Sequence, residues 1–363
     1  MHYLSPFNDV HVLLLGEWPL APESSFVEAL EQLNVTIHRL AGQRVDDNES
    51  AEQIAHIFRQ AKSGGFRSIS QSGLRDAFED LHDTLEQLDL DVLVHMLHRP
   101  NREVHDHYLS DLARLAGVDR VVLEVPLVAD DTIGLHTPDV FIVPSEFAKG
   151  RVLEGRGGGG VEIVYPGADD SLAGLERDEG GGEVLIASVM RLDPDKSPWL
   201  LARTIANVCA RKSDVVFEIA GDGLLRSMFE ELVAELGAQQ CVRMLGPLSR
   251  GGVASLLRRA DVFLNPSVYN QTWGIANLEA MLAGVPLVAF PAGGGAEYMA
   301  NNTNCIVPTT ATPADIARVV EELVDDAELR AGLGAGGREY VTSRGLVVSE
   351  MVAHYERVYR GGS

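Results

Sequence analysis

The sequence predicts an α/β protein of two doubly wound, Rossmann-like domains that face a cleft. Three observations support this fold class. The chain has 363 residues, 45% of them hydrophobic, which is enough for two cores of ordinary size. Short β-branched runs alternate with helical stretches, a pattern typical of parallel sheets covered by helices. A glycine-rich, acidic stretch at 167–183 separates two such alternating series, as an interdomain linker would.

The first series combines apolar runs of strand length with capped helices. Ser25 and Glu28 have the spacing of a capping box, and Ser145 has the place of a helix N-cap. Strands are predicted at 10–15, 36–40, 88–97, 121–125, 140–143 and 161–165. Helices are predicted at 26–32, at 104–116 and from residue 146.

The second series alternates more regularly. Its strands are predicted at 184–189, 215–220, 262–265 and 285–290. Its helices are predicted at 198–211, 224–236, 252–259, 275–283, 313–324, 327–340 and 347–359. The predicted domains are 1–169 on the acceptor side and 184–345 on the nucleotide-sugar side, joined by a linker at 170–183. A C-terminal helix within 346–363 is expected to pack back toward the first domain.

The charge balance excludes several classes of partner. Aspartate and glutamate number 53 against 30 lysines and arginines, which gives a net charge of −23. Such a chain repels nucleic acid and anionic lipid, so we expect no nucleic acid partner and at most peripheral membrane contact. No secretory signal or spanning apolar run is visible, which favours a cytoplasmic protein. The same acidic, lysine-poor composition is compatible with a high-salt habitat.

The three cysteines, Cys209, Cys241 and Cys305, lie far apart in the sequence. Their spacing predicts neither a metal site nor a disulfide framework, and buried small hydrophobes are the simpler interpretation.

A cation pair follows the first strand of the second series. Arg191 and Lys196 lie between that strand and the next helix. Two cations beside a helix N-terminus form an anion site, although two solvated surface cations remain the alternative interpretation.

Three further turns follow strands of the same series. The turn at Gly221 and Gly223 is suited to a close approach by a nucleotide. A later loop leads to Gly274 and Ile275, whose N–H groups begin a helix, and Glu279 lies one turn further on. A carboxylate there can accept hydrogen bonds from two neighbouring hydroxyls. The last turn contains Gly294, Gly295 and Glu297. Each turn alone is compatible with a purely structural role.

Together these motifs resemble the retaining GT-B glycosyltransferases of family 4, also called glycosyl transferases group 1. The resemblance covers about 184–359 and depends on the joint order and spacing of the motifs. The matching positions are Arg191, Lys196, Gly221, Gly223, Pro266, Ser267, Trp273, Gly274, Glu279 to Met281, Gly284 to Pro286 and Gly294 to Glu297. Weaker similarity is present at 143–149 and 165–169.

The resemblance implies a role for each position. Arg191 and Lys196 would bind the donor diphosphate and stabilise the leaving nucleoside diphosphate, without a metal or another cofactor. Gly274 and Ile275 would face the phosphate, Glu279 would hold the ribose and Glu297 would contact the sugar. Gly221, Gly223, Trp273, Gly294 and Gly295 complete the expected donor site. The partners would be a nucleotide-sugar donor and a carbohydrate or lipid-linked acceptor.

Several positions depart from the family pattern. Gln271 stands where the family has its first glutamate, near the transferred sugar, so we count it with Arg191 and Lys196 as a candidate catalytic residue. Met190, Ser197 and Cys305 replace glycines. The first half has one glycine, Gly16, where the family has a glycine-rich loop. It also lacks the family's histidine, for which Glu124, His95 and His98 are the candidate substitutes.

Two other functions stay open. A UDP-sugar 2-epimerase shares this architecture, although the motif from Trp273 to Met281 favours a transferase. The glutamine at position 271 also allows a non-catalytic module that binds nucleotide sugars.

Overall fold

The computed structural model describes residues 11–15, 36–40, 72–96, 104–126, 137–155, 160–178, 182–269 and 271–361. The chain divides into two compact units, one made of 1–164 with 352–363 and the other of 165–351. Within the described ranges, every helix is too short or too polar to cross a membrane. The helix predicted at 26–32 lies outside the described residues.

The first unit contains parallel strands with helices between them. Strands β1 (His11–Leu15) and β2 (Thr36–Leu40) pair with each other, and a separate four-stranded sheet has the order β3-β4-β5-β6. These four strands are Val92–Met96, Arg120–Glu124, Val140–Val143 and Gly160–Ile163. The helices are α1 (Ser72–Leu88), α2 (Val104–Leu115) and α3 (Glu146–Gly155). Ser145 caps α3 as predicted, since its Oγ accepts the Ala148 N–H at 3.1 Å.

The strand predicted at 88–97 is wrong at its start. Helix α1 extends to Leu88, and β3 begins only at Val92. Leu81 and Leu85 are one helical turn apart and both are buried. Burial of this apolar face stabilises the last turns of α1, so the helix extends to Leu88. Asp89 ends the helix with a φ of 48°.

The second unit is built on a five-stranded parallel sheet of order β11-β10-β7-β8-β9. These strands, in chain order, are β7 Val184–Val189, β8 Val215–Ala220, β9 Val242–Gly246, β10 Val262–Asn265 and β11 Leu287–Ala289. The helices are α4 Pro198–Cys209, α5 Arg226–Glu235, α6 Arg250–Arg259, α7 Ile275–Leu282, α8 Pro313–Asp325 and α9 Ala327–Ser343. The last helix, α10 (Val348–Tyr359), begins in this unit.

Alternate residues of the central strands point to opposite faces of this sheet. Ile186 belongs to one cluster of buried apolar side chains, whereas Leu185 and Ala187 belong to a second cluster. Burial on both faces explains why these strands have continuous apolar sequences. Strand β9, which the sequence did not predict, is a half-exposed edge strand and has no such run.

Part of the predicted linker is packed into the second unit. Ala168 and Leu172 are buried, and Ala168 exchanges backbone hydrogen bonds with Leu346 and Val348. A Cβ atom on Gly167 would lie 2.1 Å from the Val347 carbonyl carbon, so only glycine fits this close approach.

The end of α10 packs against β4 within the first unit. The Tyr359 hydroxyl donates a short hydrogen bond to the Glu124 carboxylate, and the Arg120 Nε donates to the Val358 carbonyl at 3.1 Å. Glu124 is only 7% exposed. Burial raises the pKa of Glu124, and the hydrogen bond from Tyr359 opposes that rise.

Candidate functional site

The predicted site residues of the second unit lie at the carboxyl edge of its sheet. Strands β8 and β9 lie on one side of β7, while β10 and β11 lie on the other. The direction of the strand order therefore reverses between β7 and β10. In doubly wound sheets, loops that leave such a switch point form the ligand site.

The loop after β7 contains the cation pair. A short 3-10 turn (Pro194–Lys196) separates β7 from α4. Nη2 of Arg191 lies 3.0 Å from Oδ2 of Asp195, and the same oxygen lies 3.4 Å from Nζ of Lys196. Arg191 also makes a short ion pair with Asp193. The structure thus brings both predicted cations together, with a carboxylate between them.

The turn after β8 packs directly on the cation loop. Gly221 has a φ of 131°, and a Cβ atom there would lie 1.9 Å from the Met190 carbonyl oxygen. Gly223, with a φ of 159°, would place its Cβ atom 2.6 Å from the Leu192 carbonyl carbon. Both glycines are therefore required by backbone contact between the two loops, which is the structural alternative to their predicted contact with the donor.

The loop after β10 is tied to the cation loop as well. The buried Ser267 Oγ donates to the Asp195 carbonyl oxygen at 3.0 Å. The Asn265 side chain also accepts the Ser267 N–H at 3.2 Å. The Ser267–Asp195 bond connects the Arg191–Lys196 loop with the loop that leads to α7, and the Asn265 bond orders Ser267 within its own loop.

Helix α7 begins after Gly274, which has a φ of 104°. A buried polar network supports this start: Asn265 Nδ2 donates to Asn277 Oδ1 at 2.8 Å, and Asn277 Nδ2 donates to the Tyr298 hydroxyl at 3.0 Å. The Tyr298 hydroxyl donates in turn to the Trp273 carbonyl at 3.1 Å. The network holds the positive end of the helix dipole at the carboxyl edge of the sheet.

The Trp273 side chain lies in the core. It is 4% exposed, its Nε1 donates to the Pro166 carbonyl at 2.9 Å, and its ring contacts Tyr165 and Tyr298. The Trp273 side chain therefore packs beneath the start of α7. The exposed side chain at the start of α7 is that of Ile275.

Gln271 joins the loops that follow β10 and β11. Its carbonyl oxygen accepts the Gly294 N–H at 2.8 Å, and a Cβ atom on Gly293 would lie 2.2 Å from that oxygen. Gly294, Gly295 and Glu297 form one short 3-10 turn, in which both glycines are buried. The structure therefore brings Gln271 and the predicted sugar-contacting turn together.

Glu279 lies on the first turns of α7 and is partly exposed. Burial raises the pKa of Glu279, and the nearby Asp169 adds to the rise while Arg250 opposes it. Hydrogen bonds from the Ser171 hydroxyl and backbone N–H lower the pKa of Asp169. Glu279 is thus placed among groups of both charges.

Sequence analysis did not identify four residues that form ion pairs or hydrogen bonds in the site: Asp193, Asp195, Asn277 and Tyr298. The two aspartates lie between the cations in the sequence, and that spacing is the available signal. Asn277 is a polar residue within an apolar helix, which also indicates a buried hydrogen bond. Tyr298 has no local signal, because its partners come from distant segments.

The replacements of family glycines have different surroundings. Ser197 adopts φ 56° and ψ 49°, the left-handed region that favours glycine. Met190 and Cys305 are buried, and burial raises the pKa of the Cys305 thiol to about 11.

Cys209 and Cys241 are free, like Cys305, yet their thiols lie close enough to interact.

The first unit contains the other candidates. Glu124 lies at the carboxyl end of β4, and His95 is buried on the neighbouring β3. Gly16 and His98 lie outside the described residues. Among described side chains, His82, Asp83 and Glu86 on α1 have ligand atoms within 4.8 Å of one another. None of these three is a predicted site residue.

Comparisons with known proteins agree with this geometry. Residues 176–340 match the family model for glycosyl transferases group 1. The chain is 32% identical over 200 residues to the D-inositol 3-phosphate glycosyltransferase of Corynebacterium kroppenstedtii, covering 50% of this chain and 44% of the relative. It is also 32% identical over 183 residues to the 2-deoxystreptamine glucosyltransferase of Streptomyces kanamyceticus, covering 49% and 46%. The chain thus spans about half the length of these curated relatives.

Similarity of fold extends over nearly the whole chain. The crystal structure of HepE from Anabaena, in complex with UDP, aligns with a TM-score of 0.75 at 16% identity and covers 99% of this chain and 94% of HepE. This likeness shows the fold. The predicted α/β class with Rossmann-like units is therefore confirmed.

Proposed function

We propose that this chain, whose residues 176–340 match the family model for glycosyl transferases group 1, moves a sugar from a nucleoside-diphosphate sugar to an acceptor. One observation supports the proposal: the loops that leave β7 and β10, at the switch point of the sheet, are hydrogen-bonded to each other. The loop that contains Arg191 and Lys196 is thereby connected to the loop that leads to α7. Two cations and a helix N-terminus are groups well suited to bind a diphosphate.

In this mechanism the positive charges have two tasks. They bind the donor diphosphate, and they stabilise the charge that grows on the nucleoside diphosphate as the bond to the sugar breaks. No metal takes part in the proposed step, because Arg191 and Lys196 supply the positive charge. Glu279 is assigned to the ribose and Gln271 with Glu297 to the transferred sugar. Retention of the anomeric configuration is proposed from the family resemblance.

The donor and acceptor classes are proposed from relatives and neighbours. HepE is described in complex with UDP, so a uridine nucleotide leads the donor panel. Two relatives are named for D-inositol 3-phosphate and for 2-deoxystreptamine. We therefore include both compounds among the acceptors to be tested, together with glycans and lipid-linked sugars. The predicted cytoplasmic location stays a prediction.

The first experiment measures nucleotide release from a panel of UDP- and GDP-sugars, with each acceptor, by the parent and by Lys196→Ala. We expect release with one donor, a sugar found on one acceptor, and a large joint loss of donor affinity and rate in Lys196→Ala. Losing a charge-assisted phosphate contact typically costs about 1.5–3 kcal/mol, or roughly tenfold to a hundredfold. Lys212→Ala is the matched control, since Lys212 is ion-paired with Asp325 on α8.

Full activity of Lys196→Ala would disprove the phosphate assignment. Product analysis separates the other functions: an epimerised sugar nucleotide would indicate the epimerase, and binding of the donor without turnover on any acceptor would indicate the binding module.

A further inference from the structure

Asp195 is the described residue whose carboxylate contacts both cations of the candidate site. Its Oδ2 lies 3.0 Å from Nη2 of Arg191 and 3.4 Å from Nζ of Lys196. Its Oδ1 accepts from the same Arg191 nitrogen at 3.2 Å. One carboxylate therefore holds the two groups that the proposed function assigns to the donor phosphates.

Asp193 and Asp195 differ in how firmly they are held. Asp193 is 17% exposed and its Oδ1 accepts the Leu224 N–H at 2.9 Å, so the neighbouring loop anchors this side chain. The Asp195 side chain is 48% exposed, and its hydrogen bonds among the described residues go to Arg191. Its main chain is fixed, because the carbonyl oxygen accepts from Ser267. Rotation of the Asp195 side chain would therefore release Lys196 and leave Arg191 paired, among the described residues, with Asp193 alone.

The charges of the loop balance before any phosphate arrives. Arg191 and Lys196 carry two positive charges, and Asp193 and Asp195 carry two negative charges. The whole chain has a net charge of −23, so the surrounding field does not favour an anion. A diphosphate gains the attraction that Asp195 offsets only when the Asp195 carboxylate leaves the cations, because two anions at one position repel each other.

We propose that Asp195 is an internal competitor of the donor phosphates. Its carboxylate leaves Arg191 and Lys196 when the nucleotide binds, and it returns to them when the nucleoside diphosphate departs. This inference rests on the proposed function of the cation pair. It makes Asp195 a residue that sets donor affinity: the site binds its nucleotide more weakly, and releases it faster, than the same site without the Asp195 charge would.

The test compares the dissociation constants of UDP and of GDP for the parent, Asp195→Asn and Asp195→Glu by calorimetry at low and high salt. Asp195→Asn should bind the preferred nucleotide roughly tenfold more tightly at low salt, since it removes two ion pairs and a repulsion. The difference in nucleotide affinity between Asp195→Asn and the parent should shrink at high salt, because salt screens the competition between Asp195 and the phosphates in the parent. Asp195→Glu keeps the negative charge, so its dissociation constant for the nucleotide should stay within about twofold of that of the parent.

Asp325→Asn is the matched control. Asp325 is an exposed aspartate paired with a lysine, Lys212, and removing its charge changes the net charge by the same amount. We expect nucleotide affinity within about twofold of the parent for this variant, because a distant surface charge is largely screened. An equal gain in Asp325→Asn and Asp195→Asn would attribute the effect to net charge and would overturn the inference.

The two proposals fail in different ways. If the parent binds nucleotide and Lys196→Ala binds it more weakly, while Asp195→Asn binds no more tightly than the parent, the cation site stands and the competition is disproved. If neither the parent nor Asp195→Asn binds any nucleotide, the proposed function and the inference fall together.

Discussion

Ser197→Gly is expected to stabilise the protein, although it lies beside the proposed phosphate site. Ser197 is fully buried at the start of α4 and has φ 56° and ψ 49°. Its Oγ has no hydrogen-bond partner among the described residues. The substitution therefore removes two unfavourable features, a left-handed backbone with a side chain and a buried hydroxyl that is not satisfied.

The size of the gain follows from four contributions, two that favour the substitution and two that oppose it. A non-glycine residue in the left-handed region costs about 1–2 kcal/mol, and a buried unpaired hydroxyl costs about 1–3 kcal/mol. Glycine loses about 0.4–1 kcal/mol through the greater freedom of the unfolded chain. Loss of the packed Cβ and Oγ atoms subtracts roughly one further kcal/mol. We expect a net increase in the free energy of unfolding of about 1 kcal/mol, or about 2–4 °C in Tm.

The assay is urea unfolding of the parent, Ser197→Gly and Ser197→Ala, followed by circular dichroism. Ser197→Ala removes the hydroxyl but keeps the left-handed strain, so its stability should lie between the other two. The nucleotide affinity of Ser197→Gly should remain near that of the parent, because the side chain of residue 197 is buried away from solvent. A Ser197→Gly protein that is less stable than the parent would refute the strain argument.

Three other substitutions test separate parts of the structure. Gly221→Ala should lower the free energy of unfolding by about 3 kcal/mol or more, because its Cβ atom would lie 1.9 Å from the Met190 carbonyl oxygen. Gly237 also has a positive φ but has open space around it, so the control Gly237→Ala should cost about 1 kcal/mol. Urea unfolding measures both. Burial raises the pKa of Glu124, so the folded protein holds this proton more tightly than the unfolded chain does. Parent stability should therefore fall as pH rises from the ordinary range of a glutamate through the raised pKa, and Glu124→Gln should flatten that fall in unfolding measured across pH. Gln271→Glu should preserve or raise the transfer rate, because a negative charge beside the sugar stabilises the positive charge that grows on it as the bond to the nucleotide breaks. Complete loss of product would show that the pocket requires the neutral amide.

The sequence predicted the second unit better than the first for a physical reason. Strands β7, β8 and β10 are buried on both faces, so their continuous apolar runs mark them, and their predicted bounds agree with the structure. Edge strand β9 has mixed exposure and was missed. The predicted strand at 88–97 overlaps the end of α1, whose covered face is defined by Leu81 and Leu85.

The candidate site shows a similar division. Local signals mark Arg191, Lys196, Gly274 and Glu279, since each follows a strand, begins a helix or lies one turn into it. The contacts that position them join segments far apart in the sequence, such as Ser267 with Asp195. No local pattern reveals that Trp273 points into the core, because a tryptophan beside a glycine fits a ligand site and a core equally well.

The hydrogen-bond network under α7 has a consequence for the conditions in which the site keeps its shape. Asn265, Asn277 and Tyr298 hold the helix start through neutral groups alone. Burial raises the pKa of the Tyr298 hydroxyl, so this donor stays protonated even in alkaline solution. Salt screens charges but not these bonds between neutral dipoles. Ionic strength and pH can therefore alter how strongly the surrounding charges attract a ligand, while the direction in which the helix presents its N–H groups stays constant.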